Sequence, residues 1–232
     1  MSEKNFAVFR LQKIKSKSGA NQVLRHMYRY SSCDHLMYPG NKNYDLMPPL
    51  PDGEKRSFYR SFDDLVGDQT IRKNAVIALE CVFSGTHDLM HSEDFDLQKW
   101  AKKTMEWCSN SFGGKNNIVG AVLHRDETTY HIHALVVPIN PETKKLNARG
   151  FVGGRAKLSI LQDTYAECVS ELGLNRGISK KISKKDHVAY QQYVNEKARE
   201  QLEKEEVARL TDEILKKEEY IEGSYLFTDI EL

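Results

Sequence analysis

The chain has 232 residues, of which 40% are hydrophobic and 29% charged, with a formal net charge of +1 at pH 7. This composition is ordinary for a globular protein that buries a core of its own. No apolar run approaches the roughly 18 residues of a membrane-spanning helix, and residues 1–6 lack the apolar core of a signal peptide. The four cysteines form no Cys-x-x-Cys pair, which argues against a disulfide framework or a cysteine zinc site. We therefore expect a cytoplasmic protein.

The charge is unevenly distributed although its total is near zero. Residues 5–33 contain no acidic residue, but they contain six basic ones: Arg10, Lys13, Lys15, Lys17, Arg25 and Arg29. A second basic stretch covers 144–185, and the tail from 196 to 222 leans acidic. Two basic segments balanced by an acidic-leaning tail suggest a surface that binds a polyanion, and solvated surface lysines would give the same pattern.

The apolar periodicity predicts elements of both kinds along the chain. In order, they are a strand over 6–11, a polar break over 16–19, a helix over 21–30, a proline-containing loop over 38–53, a strand over 75–83, a helix over 95–112, strands over 118–124 and 130–138, a helix over 158–172 and a long charged helix over 191–220. The pattern lacks a βαβ rhythm and a glycine-rich phosphate loop. It indicates an α+β fold with a central, mostly antiparallel sheet flanked by helices.

The segment 124–138 carries the most informative cluster of residues. His131 and His133 lie two apart in a predicted strand, so both imidazoles point to one face. If the two strands form a hairpin, His124 at the end of the preceding strand joins them, and three neutral imidazoles can hold a divalent metal. Glu127 would be a fourth ligand or would orient an imidazole. Asp126 would do the same, or would only shape the turn. The alternative is a pair of ordinary hydrogen-bonded histidines.

A second cluster lies in the acid-free segment, at 25–30. If this segment is helical, His26, Arg29 and Tyr30 share a face because they lie three and four residues apart. A nucleophile there would have a cation beside it to offset phosphate charge. The same residues would also suit an ordinary basic helix surface.

Taken together, four motifs and their order resemble a known family. They are His26-x-x-Arg29, Asn43-Tyr44-Asp45-Leu46, Ile71-Arg72-Lys73-Asn74-Ala75-Val76, and His124-x-Asp126-Glu127-x-x-x-His131-x-His133 ending in Val136-Val137-Pro138. From about residue 5 to 195, the chain resembles the MobV-class relaxases, the Mob/Pre family of plasmid mobilisation and recombination proteins. It departs from that pattern at Tyr130, where the family has Pro, and at Asn74, where Asp is usual.

The resemblance implies an HUH-type endonuclease with the histidine pair on a middle strand of the sheet. Such an enzyme nicks one DNA strand at an origin of transfer and keeps the 5′ phosphate covalently attached, for plasmid mobilisation or conjugative transfer. By the resemblance, His26 is the nucleophile, Arg29 and Glu127 support catalysis, and His124, His131 and His133 bind the metal. Manganese is the first choice of ion, with magnesium, zinc, nickel or cobalt as alternatives. Tyr28, Tyr30 and Tyr44 are the alternative nucleophiles.

The partner implied is plasmid DNA at an origin of transfer, single-stranded or hairpin-shaped near the nick. The basic residues expected to contact its phosphates are Arg10, Lys13, Lys15, Arg72, Lys73 and Arg155. Relaxosome or coupling proteins are further possible partners, and a C-terminal region could mediate oligomerisation. We expect the relaxase domain to cover residues 1–195 and a charged helical extension to cover 196–232.

Two other classes of function fit part of the sequence. A metal-dependent hydrolase would explain the three histidines, but the chain has no His-Glu-x-x-His helix and the acid-free basic segment would be unexplained. An origin DNA-binding protein of replication or recombination, without nuclease activity, would explain the basic segment, because motifs alone do not prove catalysis.

Overall fold

The computed structural model describes residues 5–31, 36–38, 40–51, 53–177, 199 and 203–213. The chain divides into two compact units, Met1–Gly177 and Ile178–Leu232. Of the long helix predicted over 191–220, residue 199 and residues 203–213 are helical, and the rest lies outside the described residues. The predicted boundary between 195 and 196 stays a prediction.

A six-stranded sheet organises the described part of the first unit. Its strands are β1 (Phe6–Ile14), β2 (Tyr44–Asp45), β3 (Ala78–Gly85), β4 (Ile118–His124), β5 (His131–Val136) and β6 (Asn175–Arg176). They lie in the order β2-β4-β5-β3-β1-β6. The β1–β6 pair is parallel and the other pairs are antiparallel. The expectation of a mostly antiparallel sheet with the histidine pair on a middle strand is therefore confirmed.

Helices cover both faces of this sheet, which confirms the predicted α+β class. They are α1 (Lys17–Met27), α2 (Phe58–Val66), α3 (His87–Met90), α4 (Leu97–Ser111), α5 (Ala148–Val152) and α6 (Arg155–Val169). One core layer packs α1 and α2 against the sheet through Leu24, Met27, Phe58 and Phe62. None of the described helices has the length and apolar character needed to cross a membrane.

The second core layer, between the sheet and helices α4 and α6, is rich in aromatic residues. Phe9, Phe83, Trp107 and Tyr165 pack with ring centroids 5.0–5.9 Å apart. Edge-to-face and stacked pairs at this spacing add to the stabilisation from burial itself. This layer packs against the face of the sheet that lies opposite α1. The other face of β4 and β5, on the α1 side, carries a separate set of side chains.

The start of α1 and the presence of α2 differ from the sequence-based expectation, as do the short helices α3 and α5. The helix predicted over 21–30 runs from Lys17 to Met27, because the Ser16 hydroxyl accepts a hydrogen bond from the Gly19 N–H at 3.1 Å and caps the helix four residues earlier. Helix α2 was not predicted, although Phe58, Phe62 and Val66 recur every four residues and all three are buried. That spacing is the signal that would have found it.

Candidate active site

Three histidines meet at one end of the β4–β5 hairpin. His124 lies directly opposite His131 in the antiparallel register, and His133 follows two residues later on the same face. The ring centroids of these three imidazoles are 5.0–5.1 Å apart. This face also carries Val122 and Leu135, which pack in the α1 layer. The predicted hairpin thus brings the three predicted ligands together.

Each of these imidazoles has one nitrogen held by an oxygen atom. His124 Nε2 lies 2.8 Å from the carbonyl of Met27, His131 Nδ1 lies 2.8 Å from the carbonyl of Thr129, and His133 Nδ1 lies 3.1 Å from Glu80 Oε1. Metal-binding histidines are oriented in this way, since an oxygen acceptor on one nitrogen fixes the ring and makes the other nitrogen more basic.

The donor chemistry of the cluster fits a divalent metal. Within the described residues, two sets of three donors have their ligand atoms within 4.8 Å of one another: His26, His124 and His133, and His124, Glu127 and His131. Because both sets contain His124, they form one continuous cluster. Imidazole and carboxylate donors together suit manganese and the other first-row divalent ions.

Burial keeps the two strand histidines neutral. Desolvation, followed by the proximity of His133, lowers the pKa of His131 to about 4. Desolvation, followed by the proximity of His124 and His26, lowers the pKa of His133 to about 3. Both imidazoles are therefore unprotonated at neutral pH, which is the form that binds a metal.

Arg29 connects the segment 25–30 to the hairpin turn. Its guanidinium contacts Asp126 at 2.8 and 2.9 Å, Glu127 Oε1 at 2.6 Å and His124 Nδ1 at 3.1 Å. Burial opposes the charge on Arg29, but the hydrogen bonds to Asp126 and Glu127 outweigh it and raise the pKa of Arg29. The backbone of Arg29 is left-handed, with a φ of 52°, and such strain in a non-glycine residue persists where several contacts hold it.

Three carboxylates belong to the site. Asp126 and Glu127 surround Arg29, and Glu80 contacts His133. Burial alone would raise the pKa of Glu127, but hydrogen bonding to His124, the nearby His131 and Arg29 hold that pKa well below its ordinary value.

His26, a member of the first donor set, lies in the last turn of α1. Its ring centroid is 5.5 Å from that of His133 and 5.8 Å from that of His124. Arg29 Nη1 lies 3.4 Å from His26 Nε2. The prediction that these residues share a helical face was wrong in detail. The helix ends at Met27, so Arg29 reaches His26 from the turn that follows, and the Tyr30 hydroxyl contacts the Arg56 backbone instead.

The three alternative nucleophiles are engaged in packing or hydrogen bonding. Tyr28 Oη donates to Asp45 Oδ1 at 3.0 Å, and burial followed by the charge of Asp45 raises the pKa of Tyr28. Tyr30 Oη accepts from the Arg56 N–H at 3.1 Å. Tyr44 Oη accepts from Arg125 Nη1 at 3.0 Å on the edge strand β2. The raised pKa makes the Tyr28 phenol a poor nucleophile at neutral pH.

Of the six residues predicted to contact DNA, three lie in β1 or directly after it, and three lie elsewhere in the fold. Lys13 and Lys15 line a cavity of about 540 Å³ that also exposes His26, His133 and Glu80. Arg10 pairs with Val82 on the neighbouring strand and is exposed.

The other three predicted contacts lie away from the histidines. Arg72 and Lys73 precede β3, at the opposite end of that strand from Ser84, which pairs with His131. Arg155 begins α6, a helix of the opposite layer. For all six residues, DNA contact stays a prediction.

Two site residues were missed or left without a role in the sequence analysis. Glu80 is a largely buried glutamate within the apolar strand β3, and an acid in such a strand is the signal that could have found it. Asn43 lies in a recognised motif, and its side chain donates to Asp126 Oδ2 at 2.7 Å and accepts from the Arg125 N–H at 2.8 Å. Asn43 therefore holds the turn that carries Asp126 and Glu127.

Comparison with known proteins gives several relatives of the chain. The 65 kDa protein of Zymomonas mobilis subsp. mobilis is 31% identical over 192 residues, covering 82% of this chain and 32% of that protein. Plasmid recombination enzyme type 1 of Staphylococcus aureus is 28% identical over 218 residues, covering 90% of this chain and 53% of that protein. The chain therefore spans about a third to a half of the length of these curated relatives.

Solved structures share the fold. The Mn-bound crystal structure of the MobM relaxase domain (MOBV; Mob_Pre) with plasmid pMV158 oriT DNA at pH 4.6 is 25% identical, with a TM-score of 0.67 over 82% of this chain and 99% of that chain. The corresponding structure at pH 5.5 is 26% identical, with a TM-score of 0.65. The Mob_Pre family, described as plasmid recombination enzyme, matches residues 3–195. With most of its length matched and the motifs in the expected order, the chain belongs to the Mob/Pre family of plasmid recombination enzymes, the MobV class of relaxases.

Proposed function

We propose that the chain contains a relaxase domain that nicks one DNA strand at an origin of transfer, with His26 as the nucleophile. The proposal rests on the position of His26. Its ring centroid lies 5.8 Å from that of His124 and 5.5 Å from that of His133, two of the three histidines expected to bind the metal. A scissile phosphate between them would face a nucleophile on one side and a cation site on the other. Neither an ordinary histidine pair nor a plain DNA-binding surface requires that arrangement.

The residues of the chain have distinct roles in the proposed reaction. His124, His131 and His133, with Glu127 as a further donor, would hold the metal, which supplies Lewis-acid polarisation of the phosphate. A neutral nitrogen of His26 attacks phosphorus, the bond to the 3′ oxygen breaks, and the 5′ phosphate stays on His26 as a phosphoramidate. The His26 ring releases the proton of its other nitrogen and the leaving oxygen takes one up, which gives a free 3′-OH that can attack the phosphoramidate to rejoin the strand.

Arg29 has two roles in this scheme. Its contact with His26 Nε2, at 3.4 Å, orients the imidazole, and its charge offsets the charge that develops on the phosphate. Its contacts with Asp126 and Glu127 keep the end of α1 against the hairpin turn. Loss of Arg29 would therefore weaken both the reaction and the alignment of the two site segments.

The similar MobM relaxase domain supports the choice of metal and substrate. That domain was crystallised with manganese and plasmid pMV158 oriT DNA. For this chain we propose manganese as the first choice, with magnesium, zinc, nickel or cobalt as alternatives, and an origin of transfer on plasmid DNA in the cytoplasm as the substrate. We further propose a relaxase domain over 1–195, a helical extension over 196–232, and relaxosome, coupling or self-association partners for the whole protein.

Nicking of a supercoiled plasmid tests the proposal directly. Metal-stripped protein is given manganese and a plasmid with a candidate origin, the pMV158 origin first, and the DNA-linked peptide is mapped under conditions that spare acid-labile bonds. We expect nicking only with metal, a 5′ end attached to His26, and loss of both in His26→Ala. The control variants Tyr30→Phe and Tyr44→Phe should still nick.

Two results would overturn parts of the proposal. Attachment to Tyr28, Tyr30 or Tyr44 would keep the relaxase and replace the nucleophile. No metal-dependent nick on any candidate origin, nor on single-stranded oligonucleotides of the same sequences, would favour an origin DNA-binding protein without nuclease activity.

A further inference from the structure

Five planar side chains form a continuous stack behind the histidine cluster. Arg125 lies over the rings of Tyr44 and Tyr130, with its guanidinium carbon 5.4 and 5.5 Å from the two ring centroids. Tyr130 lies 4.0 Å from His91, and His91 stacks on His87 at 4.4 Å. The stack, which we call the edge ladder, runs from helix α3 past the β4–β5 turn to Tyr44 of β2.

Two members of the edge ladder are chain neighbours of the clustered histidines. Arg125 follows His124, and Tyr130 precedes His131. Because successive side chains of a strand alternate between its faces, the histidines face α1 while their neighbours face the opposite side. The ladder and the active site thus share one backbone hairpin.

A large groove opens at the Tyr44 end of the edge ladder. Its volume is about 1350 Å³, and it lies between the loop 46–50 and helix α4. Apolar side chains such as Leu97, Ala101 and Met105 line it. Tyr44 is 50% exposed there.

The groove carries more positive than negative charge. Its basic side chains are Arg56, Lys102, Lys115 and Arg125, and its acidic side chains are Asp45 and Glu106. Asp45 is already paired with Arg56 at 3.0 Å, whereas Lys102 and Lys115 are exposed. Arg125 Nε is buried and has no hydrogen-bond partner among the described residues. An anionic occupant is therefore favoured over a neutral or cationic one.

We propose that the groove binds an unpaired segment of the DNA strand, with one base stacked on Tyr44 and phosphates beside Lys102 and Lys115. The inference rests on the proposed function, which brings a single strand to the adjacent hairpin. An aromatic ring backed by a cation, in a basic groove with an apolar lining, matches the two chemistries of single-stranded DNA: a planar base and an anionic backbone. Duplex DNA fits less well, because its bases already stack on one another.

Fluorescence anisotropy with a labelled oligothymidylate of about 12 nucleotides tests the site without any cleavage. Chelator in the buffer removes the contribution of the metal cluster. We expect Tyr44→Leu to weaken binding by about 5-fold to 100-fold, while Tyr44→Phe, which keeps the ring, stays within about twofold. The matched control is Tyr59→Leu, since Tyr59 is 43% exposed on α2 and lies outside the groove.

A second pair of substitutions tests the phosphate contacts independently of Tyr44. Lys102→Gln combined with Lys115→Gln should reduce the slope of log affinity against log salt by about 1.4, or about 0.7 for each lost contact with a single strand. Both lysines are exposed, so neither substitution threatens folding.

The outcomes separate this site from the proposed function. Unchanged binding in Tyr44→Leu, equal losses in the leucine and phenylalanine variants, or no binding by the unsubstituted protein would overturn the groove assignment. If the protein still nicks origin DNA, the proposed function survives that result. Binding through Tyr44 in a protein that never nicks would support the groove and overturn the relaxase.

Discussion

The two faces of strand β3 have opposite characters although they share one backbone. Leu79, Cys81 and Phe83 are fully buried against α4 and α6. The intervening residues, Glu80, Val82 and Ser84, are only partly buried and belong to the site side. Strand β5 repeats the division, with Ile132 and Ala134 on the packed face and the two histidines on the other. Strand alternation thus lets one element supply stability on one face and chemistry on the other.

The difference between the faces has an energetic consequence. Burying His131, His133 and Glu80 removes polar groups from water, which costs stability unless partners compensate. The aromatic layer around Phe83 buries large apolar surface and opposes that cost. Substitutions on the packed face should therefore change stability with little effect on the metal cluster, and substitutions on the site face should do the reverse.

Of the substitutions that test this difference between the two faces, Phe83→Ala should have the largest effect. It removes a fully buried ring that packs on Phe9, Trp107 and Tyr165, so the free energy of unfolding should fall by about 3–5 kcal/mol. Urea denaturation measures this loss, and titration with manganese at low temperature, where the variant stays folded, should give an unchanged affinity. A large drop in metal affinity of the folded variant would show that the two faces are coupled.

Glu80→Gln tests the site face of the same strand. The substitution keeps the shape of the side chain but removes the carboxylate that orients His133 at 3.1 Å, so manganese affinity should fall about 10-fold to 100-fold. Calorimetric titration of the metal-stripped protein gives the affinity. The free energy of unfolding without metal should change by less than about 1 kcal/mol, because an uncharged amide costs less to bury than a carboxylate.

The matched control for this substitution is Glu142→Gln, an exposed glutamate in the turn before residue 146. It removes the same charge without touching the cluster, and the affinity should not change. Equal affinities of the Glu80→Gln variant and the unsubstituted protein would remove Glu80 from the support of the metal cluster.

The same comparison explains what could be predicted from the sequence. Alternation in β5 and the position of His124 predicted the histidine cluster because strand periodicity and a short turn are local properties. Apolar patterns likewise predicted β1, β3, α4 and α6, the elements that form the aromatic layer, but not the packing of their rings. Neither the contact of Glu80 with His133 nor the path of Arg29 could be predicted, since the first depends on which strand lies beside β5 and the second on a left-handed residue after α1.

The smallest expected effect concerns Tyr28, which is next to the site in sequence but serves packing. Its hydroxyl donates to Asp45 and accepts from the Ala121 N–H at 3.3 Å, so Tyr28→Phe loses two hydrogen bonds that join α1 to β2 and β4. The free energy of unfolding should fall by about 1 kcal/mol, and the rate of origin nicking should stay within about twofold. Denaturation of the variant measures the loss of stability, and a nicking assay run in parallel measures the rate. If nicking disappeared while the fold persisted, Tyr28 would be the nucleophile, and His26 would be left with a supporting role at the metal cluster.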